Sequence, residues 1–94
     1  GELEGPTIRL VVMPFEANAD EALTAVADGL TDGLIETLAR QPRMAVIARE
    51  SAEGLRDAPP ESVLQALDAN RLVRGTLRVT PEGELRVEIE MHRA

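Results

Sequence analysis

The segment from Asn18 to Arg40 reads NADEALTAVADGLTDGLIETLAR. Its apolar residues recur at steps of three and four, which is the spacing of one face of an α-helix and fits no β-strand. Asn18 can cap the start with Glu21 completing a capping box, and Pro42 forbids continuation beyond Arg40. We therefore predict one long helix that buries a single stripe, made of Leu23, Val26, Ala27, Leu30, Leu34, Ile35 and Leu38.

Two glycines lie inside this helix, and each costs about 1 kcal/mol relative to alanine. Gly29 and Gly33 are four residues apart and so share one side of the helix. Close packing of the helix against a neighbouring strand is the favoured explanation. The alternatives are a smooth notch for another chain or ligand, and a kink.

An acidic row follows the same four-residue step, at Asp28, Asp32 and Glu36. Helical carboxylates without an added histidine or loop oxygens offer too few ligands for a metal ion. The row is therefore predicted to be a solvated face.

Composition sets limits on the function. The 94 residues, 44% apolar and 29% charged, predict one folded domain in residues 8–94 after a loose leader in residues 1–7. The formal charge of −7 argues against nucleic-acid binding, and the lack of cysteine excludes disulfides and thiolate metal sites. The apolar run from Leu10 to Phe15 is too short to span a bilayer.

No catalytic constellation stands out. The only histidine, His92, is predicted on a wet strand face, and no glycine-rich phosphate loop follows the first strand. We expect no catalytic residue, no metal and no cofactor, and therefore no enzyme within this domain.

Two short apolar runs flank the long helix. Ile8 to Phe15 is predicted as a central strand covered on both faces, with Pro14 ending its pairing. Met44 to Arg49 is predicted as a second strand, parallel to the first through a right-handed crossover. A single helical turn is predicted at Ala52 to Leu55.

The last third predicts a helix and a hairpin. The helix runs from Glu61 to Ala69, with Asp68 or Asn70 taking the left-handed position that ends it. Two alternating strands follow, joined by a three-residue loop with a bulge at Gly83. The register that keeps one face dry places Val79 opposite Leu85, Leu77 opposite Val87 and Arg74 opposite Glu90.

The element order is β-α-β-α-β-β, and the predicted fold class is α/β: a two-layer mixed sheet with helices packed on it. If both helices cover one face, the other face carries a lone apolar strip. Such a strip often marks a surface that a partner uses. The strip consists of Val11, Met13, Phe15, Ala45 and Ile47, and through it we expect weak self-association.

Four segments together resemble the TolB-like amino-terminal domain family: VVMPFE at 11–16, ADGLTDGLI at 27–35, VIAR at 46–49 and LVRGTL at 72–77. The resemblance covers about residues 8 to 92. The chain departs from the family pattern at three positions. The family usually has an aromatic residue in place of Val26, an acidic residue in place of Gly33 and glycine in place of Asp68.

This resemblance implies an anticodon-binding-domain-like fold and a regulatory, protein-interaction role in a larger bacterial signalling protein. Members lie beside cyclase domains, membrane-linked winged-helix domains or tetratricopeptide repeats, which are the implied partners. The alternatives are a periplasmic envelope-assembly or lipoprotein domain and a small-molecule sensor domain. The side of the membrane stays open, and neither nucleic-acid binding nor direct membrane insertion is expected.

Overall fold

The computed structural model describes residues 7–17 and 21–94. Residues 1–6 of the predicted leader and the proposed cap Asn18 lie outside these ranges. The elements, in chain order, are β1 (Ile8–Val12), β2 (Glu16–Ala17), α1 (Glu21–Ala39), β3 (Met44–Val46), α2 (Arg49–Glu53), α3 (Pro60–Ala66), β4 (Arg71–Val79) and β5 (Leu85–Arg93).

The strands form one mixed sheet. β1 lies parallel to β3, with Ile8 opposite Met44, and parallel to β4 on its other side, with Leu10 opposite Arg71. β5 pairs antiparallel with the outer side of β4. The predicted α/β class and the parallel crossover from the first strand to Met44 are confirmed.

Pro14 interrupts the first strand. β1 ends at Val12, and the chain resumes against the same neighbour as β2, where Glu16 lies opposite Thr76. Because proline has no backbone N–H to donate, the ladder cannot run through it. The strand predicted over residues 8–15 is therefore shorter and ends at Val12, and pairing resumes only at Glu16, beyond the predicted range.

The helices lie on both faces of the sheet. Alternate residues of β1 enter two separate buried clusters, with Leu10 and Val12 in the cluster under α1. Val11 lies in the other cluster, which includes Ala52 of α2 and Val63 of α3. The prediction that β1 is covered on both faces is confirmed.

The prediction that this apolar strip forms an exposed interaction surface is therefore wrong. It required both helices to lie on the same face of the sheet. Val11 and Met13 are buried beneath α2 and α3, and Ile47 packs on the same cluster. Phe15 is buried in the cluster under α1, and Ala45 is half-buried.

The buried face of α1 is rotated from the predicted stripe. Val26 and Leu30 are 42% and 39% exposed, whereas Thr31 is fully buried. The Thr31 hydroxyl accepts a hydrogen bond from the backbone N–H of Phe15 at 2.9 Å and donates one to the carbonyl of Ala27 at 2.8 Å. A polar residue occupies this position because the break after Pro14 presents a backbone donor that needs an acceptor.

Replacing Thr31 with valine, which has nearly the same shape, should cost about 1–3 kcal/mol, because the buried Phe15 N–H loses its acceptor. Thr31→Ser is the matched control, since it keeps the hydroxyl and removes one methyl group, worth about 0.8 kcal/mol. Hydrogen exchange at the Phe15 amide should accelerate in the valine variant only. Equal protection in both variants would contradict the assigned bond.

The close-packed glycine is Gly75, not Gly29 or Gly33. A Cβ atom built at Gly75 would lie 2.5 Å from Cε2 of the buried Phe15 ring. Apart from neighbouring residues and the backbone of α1 itself, no described atom lies within 4 Å of a Cβ built at Gly29 or Gly33, and both glycines are exposed. The prediction that these two helical glycines pack closely against a strand of this chain is therefore wrong.

Two Gly→Ala substitutions should shift stability in opposite directions. Gly75→Ala forces the Phe15 ring from its site and should cost about 1–3 kcal/mol. Gly29→Ala meets open space inside a helix and should stabilise by up to about 1 kcal/mol. Urea denaturation measures both, and destabilisation by Gly29→Ala would show that its surface is occupied.

The hairpin follows the sequence prediction closely, whereas α3 ends at Ala66, three residues before its predicted end at Ala69. Asp68 has a φ of 53° and Gly83 a φ of 85°. The backbone N–H of Thr80 donates to the carbonyl of Glu84 at 2.8 Å, closing the predicted three-residue loop. The predicted pairs of Val79 with Leu85 and Leu77 with Val87 are confirmed.

Candidate interaction surface

An apolar row on the hairpin is exposed. It consists of Val79, Leu85, Val87, Ile89 and Met91, which we call the open hairpin face; their exposed fractions are 50, 50, 41, 61 and 63%. Val87 lies opposite Leu77 in the register, and Met91 lies opposite Val73. Because Leu77 and Val73 are buried in the cluster with α1, the open hairpin face is on the α1 side of the sheet.

Helix α1 is too narrow to cover this side of the sheet. A helix with its side chains is about 10 Å across, and neighbouring strands are about 4.8 Å apart, so one helix covers roughly two strands. At its widest the sheet runs β3, β1, β4, β5. Packed over the centre of this order, α1 leaves β5 uncovered.

The exposed apolar residues of α1 border the same surface. Arg49, just after β3, reaches Asp28 and Asp32, so that flank of α1 faces the β3 side. Residues advance by about 100° each along a helix, which places Val26 and Leu30 on the opposite flank, towards β4 and β5. The open hairpin face is therefore bordered on one side by the exposed apolar residues Val26 and Leu30 of α1.

The other face of β5 is charged and internally paired. Arg74 binds Glu90 at 2.9 Å, as predicted, and Arg78 lies 3.5 Å from Glu88. The hydrogen bond from Arg74, and then one with His92, lowers the pKa of the Glu90 carboxyl below its usual value. β5 thus separates two chemically opposite faces.

The acidic row on α1 holds an arginine. The Arg49 guanidinium donates to Asp28 at 2.8 Å, to Asp32 at 2.7 Å and to Glu53 at 2.9 Å. These bonds raise the pKa of Arg49 further above its ordinary value, and the bond to Asp32 has the strongest influence. The prediction of a solvated row is confirmed, since the side chains of Asp28, Asp32 and Glu36 are 50, 65 and 73% exposed. In addition, Arg49 ties α1 to α2 through this row.

Arg49→Met should destabilise the domain by about 1 kcal/mol at low salt, because three carboxylates lose their shared cation. The loss should shrink near 1 M salt, where the screening length is about 3 Å. Arg40→Met is the matched control, since its single exposed pair with Glu36 should contribute only about 0.3–0.5 kcal/mol. Thermal unfolding at two salt concentrations checks this, and a salt-independent loss would contradict a role for the ion pairs.

The concave sites offer little to a small molecule. A cavity of about 170 Å³ beside α3 has a mixed lining that includes Met13, Val63, Arg74 and Glu90, and its volume falls below the roughly 300–1,000 Å³ of ligand pockets. An open depression of about 350 Å³ lies at the end of α3, beside Leu64 and Ala69. An open depression of about 400 Å³ lies beside Arg49, among charged side chains that already pair with one another. Over residues 7–17 and 21–94, no group of three or more acidic or histidine side chains could hold a metal ion.

The sequence pattern identified the residues of the open hairpin face but placed them on a dry face. Thr31 and Arg49 were missed as structural residues. Thr31 stands at the helical spacing of the buried stripe, four residues after Ala27 and four before Ile35, and that spacing was the available signal. For Arg49 the signal was an arginine soon after a strand, with two carboxylates four residues apart on the preceding helix.

Comparison of the chain with protein-family models, curated proteins and solved structures finds no match. No helix in the described ranges has the length and apolar character needed to cross a membrane. The resemblance to the TolB-like amino-terminal domain remains a prediction from the four sequence segments.

Proposed function

We propose that this chain is a non-catalytic interaction domain of a larger bacterial signalling protein, and that it binds a protein partner through the open hairpin face. The observation that carries the proposal is the row of five exposed apolar side chains on one face of β5 and the end of β4. Scattered apolar residues are normal on a protein surface, but a contiguous row marks a site of contact.

The chemistry of the row supports a protein as the partner. The side chains are aliphatic except for the thioether of Met91, whose flexibility adapts to different contact shapes. The opposite face of β5 carries the charges, so a partner can cover the apolar residues without stripping water from Glu88 or Glu90. Desolvating such carboxylates would cost far more than covering alkyl groups returns.

The signalling context comes from the sequence resemblance. On that basis we propose a folded protein domain as the type of partner, with tetratricopeptide repeats as one candidate. A sensor role receives less support, since the cavity beside α3 is small and the larger depressions are open to solvent.

Photo-crosslinking in cells tests the proposal. A benzophenone amino acid at position 89, where Ile89 is 61% exposed, should capture a polypeptide on irradiation. The same amino acid at exposed Glu50 of α2, on the other side of the sheet, is the control and should capture nothing specific. The captured polypeptide is identified by mass spectrometry.

An Ile89→Asp substitution provides the second arm. Because the side chain is exposed, the substitution should change the free energy of unfolding by no more than about 0.5 kcal/mol. It should nevertheless abolish capture by a crosslinker placed at position 87. Equal capture at positions 89 and 50, or capture that survives Ile89→Asp, would overturn the proposal.

A further inference from the structure

We infer that the open hairpin face is completed by a second copy of this chain, which pairs antiparallel along β5 and extends the sheet across a two-fold axis. The inference rests on the proposed function, and it names the partner.

The apolar residues of β5 are also those whose backbone groups point away from β4. The Thr80 N–H bonds Glu84, and the Ala94 N–H bonds the carbonyl of Asn70 at 3.1 Å. Hydrogen-bonded pairs alternate along an antiparallel ladder, so the even-numbered residues of β5 bond β4. The odd-numbered residues direct their N–H and C=O groups outward; they are Leu85, Val87, Ile89, Met91 and Arg93.

β5 is thus a nine-residue edge strand, and within the described sheet it pairs only with β4. Natural edge strands are commonly short, bulged or covered, because an open edge is a template for another strand. No proline or bulge interrupts the register from Leu85 to Arg93. The edge is therefore competent for strand addition along its whole length.

One register satisfies the side chains. With Glu88 on the two-fold axis, Leu85 faces Met91 of the second copy, and Val87 faces Ile89. On the other face Arg86 meets Glu90 of the second copy, twice by symmetry, and Glu84 meets His92. The two Glu88 carboxylates meet at the axis, where each has an Arg78 guanidinium of its own protomer at 3.5 Å.

The neighbouring registers are worse. A shift of two residues in one direction places Glu88 against Glu90 twice and Leu85 against Arg93. The same shift in the other direction pairs Arg86 with Glu88 twice, but it also places Glu84 against Glu90 twice and leaves Met91 facing Gly83. Like charges directly opposite each other destabilise a strand pair, so charge selects the register centred on Glu88.

The resulting dimer has a defined shape. A two-fold axis perpendicular to the sheet keeps both α1 helices on one side, with the two apolar rows of β5 adjacent between them. Four odd-numbered pairs would exchange on the order of eight backbone hydrogen bonds. Val26 and Leu30 of each copy would lie beside the shared apolar surface that the two rows of β5 form.

Proline at position 89 tests the pairing. The Ile89 N–H points outward, so Ile89→Pro removes no bond to β4, and proline is tolerated on an edge strand. By symmetry it deletes two intermolecular bonds, which should weaken the dimer roughly tenfold or more. Ile89→Val, which keeps the N–H and the apolar face, is the control and should dimerise as the wild type does.

Sedimentation equilibrium from micromolar to about millimolar concentration is the measurement. The wild-type chain should form a dimer that dissociates on dilution, with slower hydrogen exchange at the Val87 and Ile89 amides when concentrated. Arg86→Glu should also weaken the dimer, while Arg86→Lys should preserve it. This pair keeps the test decisive if Ile89→Pro fails to fold.

Two results would overturn the inference. One is a wild-type chain that stays monomeric at about 1 mM, and the other is a dimer that Ile89→Pro and Arg86→Glu leave unchanged. If position 89 still captures a different polypeptide in cells, the proposed function survives and only the second copy is rejected. If position 89 captures nothing specific, the proposed function fails as well.

Discussion

The hydrogen bond from the Phe15 amide to the Thr31 hydroxyl fixes where α1 lies on the sheet. Pro14 interrupts the ladder of the first strand, and the next residue presents a buried N–H that only a side chain can satisfy. Thr31 accepts that bond, so the helix is held above β1 and β4. The Phe15 ring then fills the space above Gly75, where a side chain would collide. The backbone break after Pro14 therefore helps to position the longest helix, together with the apolar contacts that α1 makes with the sheet, and it requires glycine at position 75.

That position has consequences at the sheet edge. Because α1 is held over the middle of the sheet, its width does not extend to β5, and the apolar residues of β5 stay in contact with water. The alternation of β5 is the pattern of a strand with one buried face, yet its apolar face is 41–63% exposed from Val87 to Met91. Half-buried strands of this pattern are stable when something lies on them. The open hairpin face is thus an apolar surface with the alternation of a buried strand face, and for this reason we propose it as the binding site for a partner.

Charge stabilises the molecule locally rather than overall. The chain carries a formal charge of −7, which keeps like molecules apart at long range. At short range most described arginines pair with carboxylates, and Arg49 joins three of them between two helices. The pairs on the polar face of β5 have the same local character, and their alternation along the strand makes one antiparallel self-register preferable to its neighbours. In the dimer that we propose, electrostatics would therefore contribute more to the specificity of strand pairing at this edge than to its affinity.

Local patterns in the sequence determined the long helix, the left-handed residue after α3 and the hairpin. The helix period between Glu21 and Ala39, the left-handed Asp68 and the loop ending at Gly83 all follow from spacing and turn chemistry, which act over a few residues. Only the tertiary structure decided which helix covers which face, because periodicity specifies that a face is apolar but not what covers it. The same limit explains why Val26 and Leu30 are exposed, although they belong to the predicted apolar stripe. It also explains why the burial of Thr31 was not predicted, since that burial depends on a backbone donor sixteen residues away. Residue spacing encodes local geometry, whereas the covering of a surface depends on the width and placement of separate elements in three dimensions.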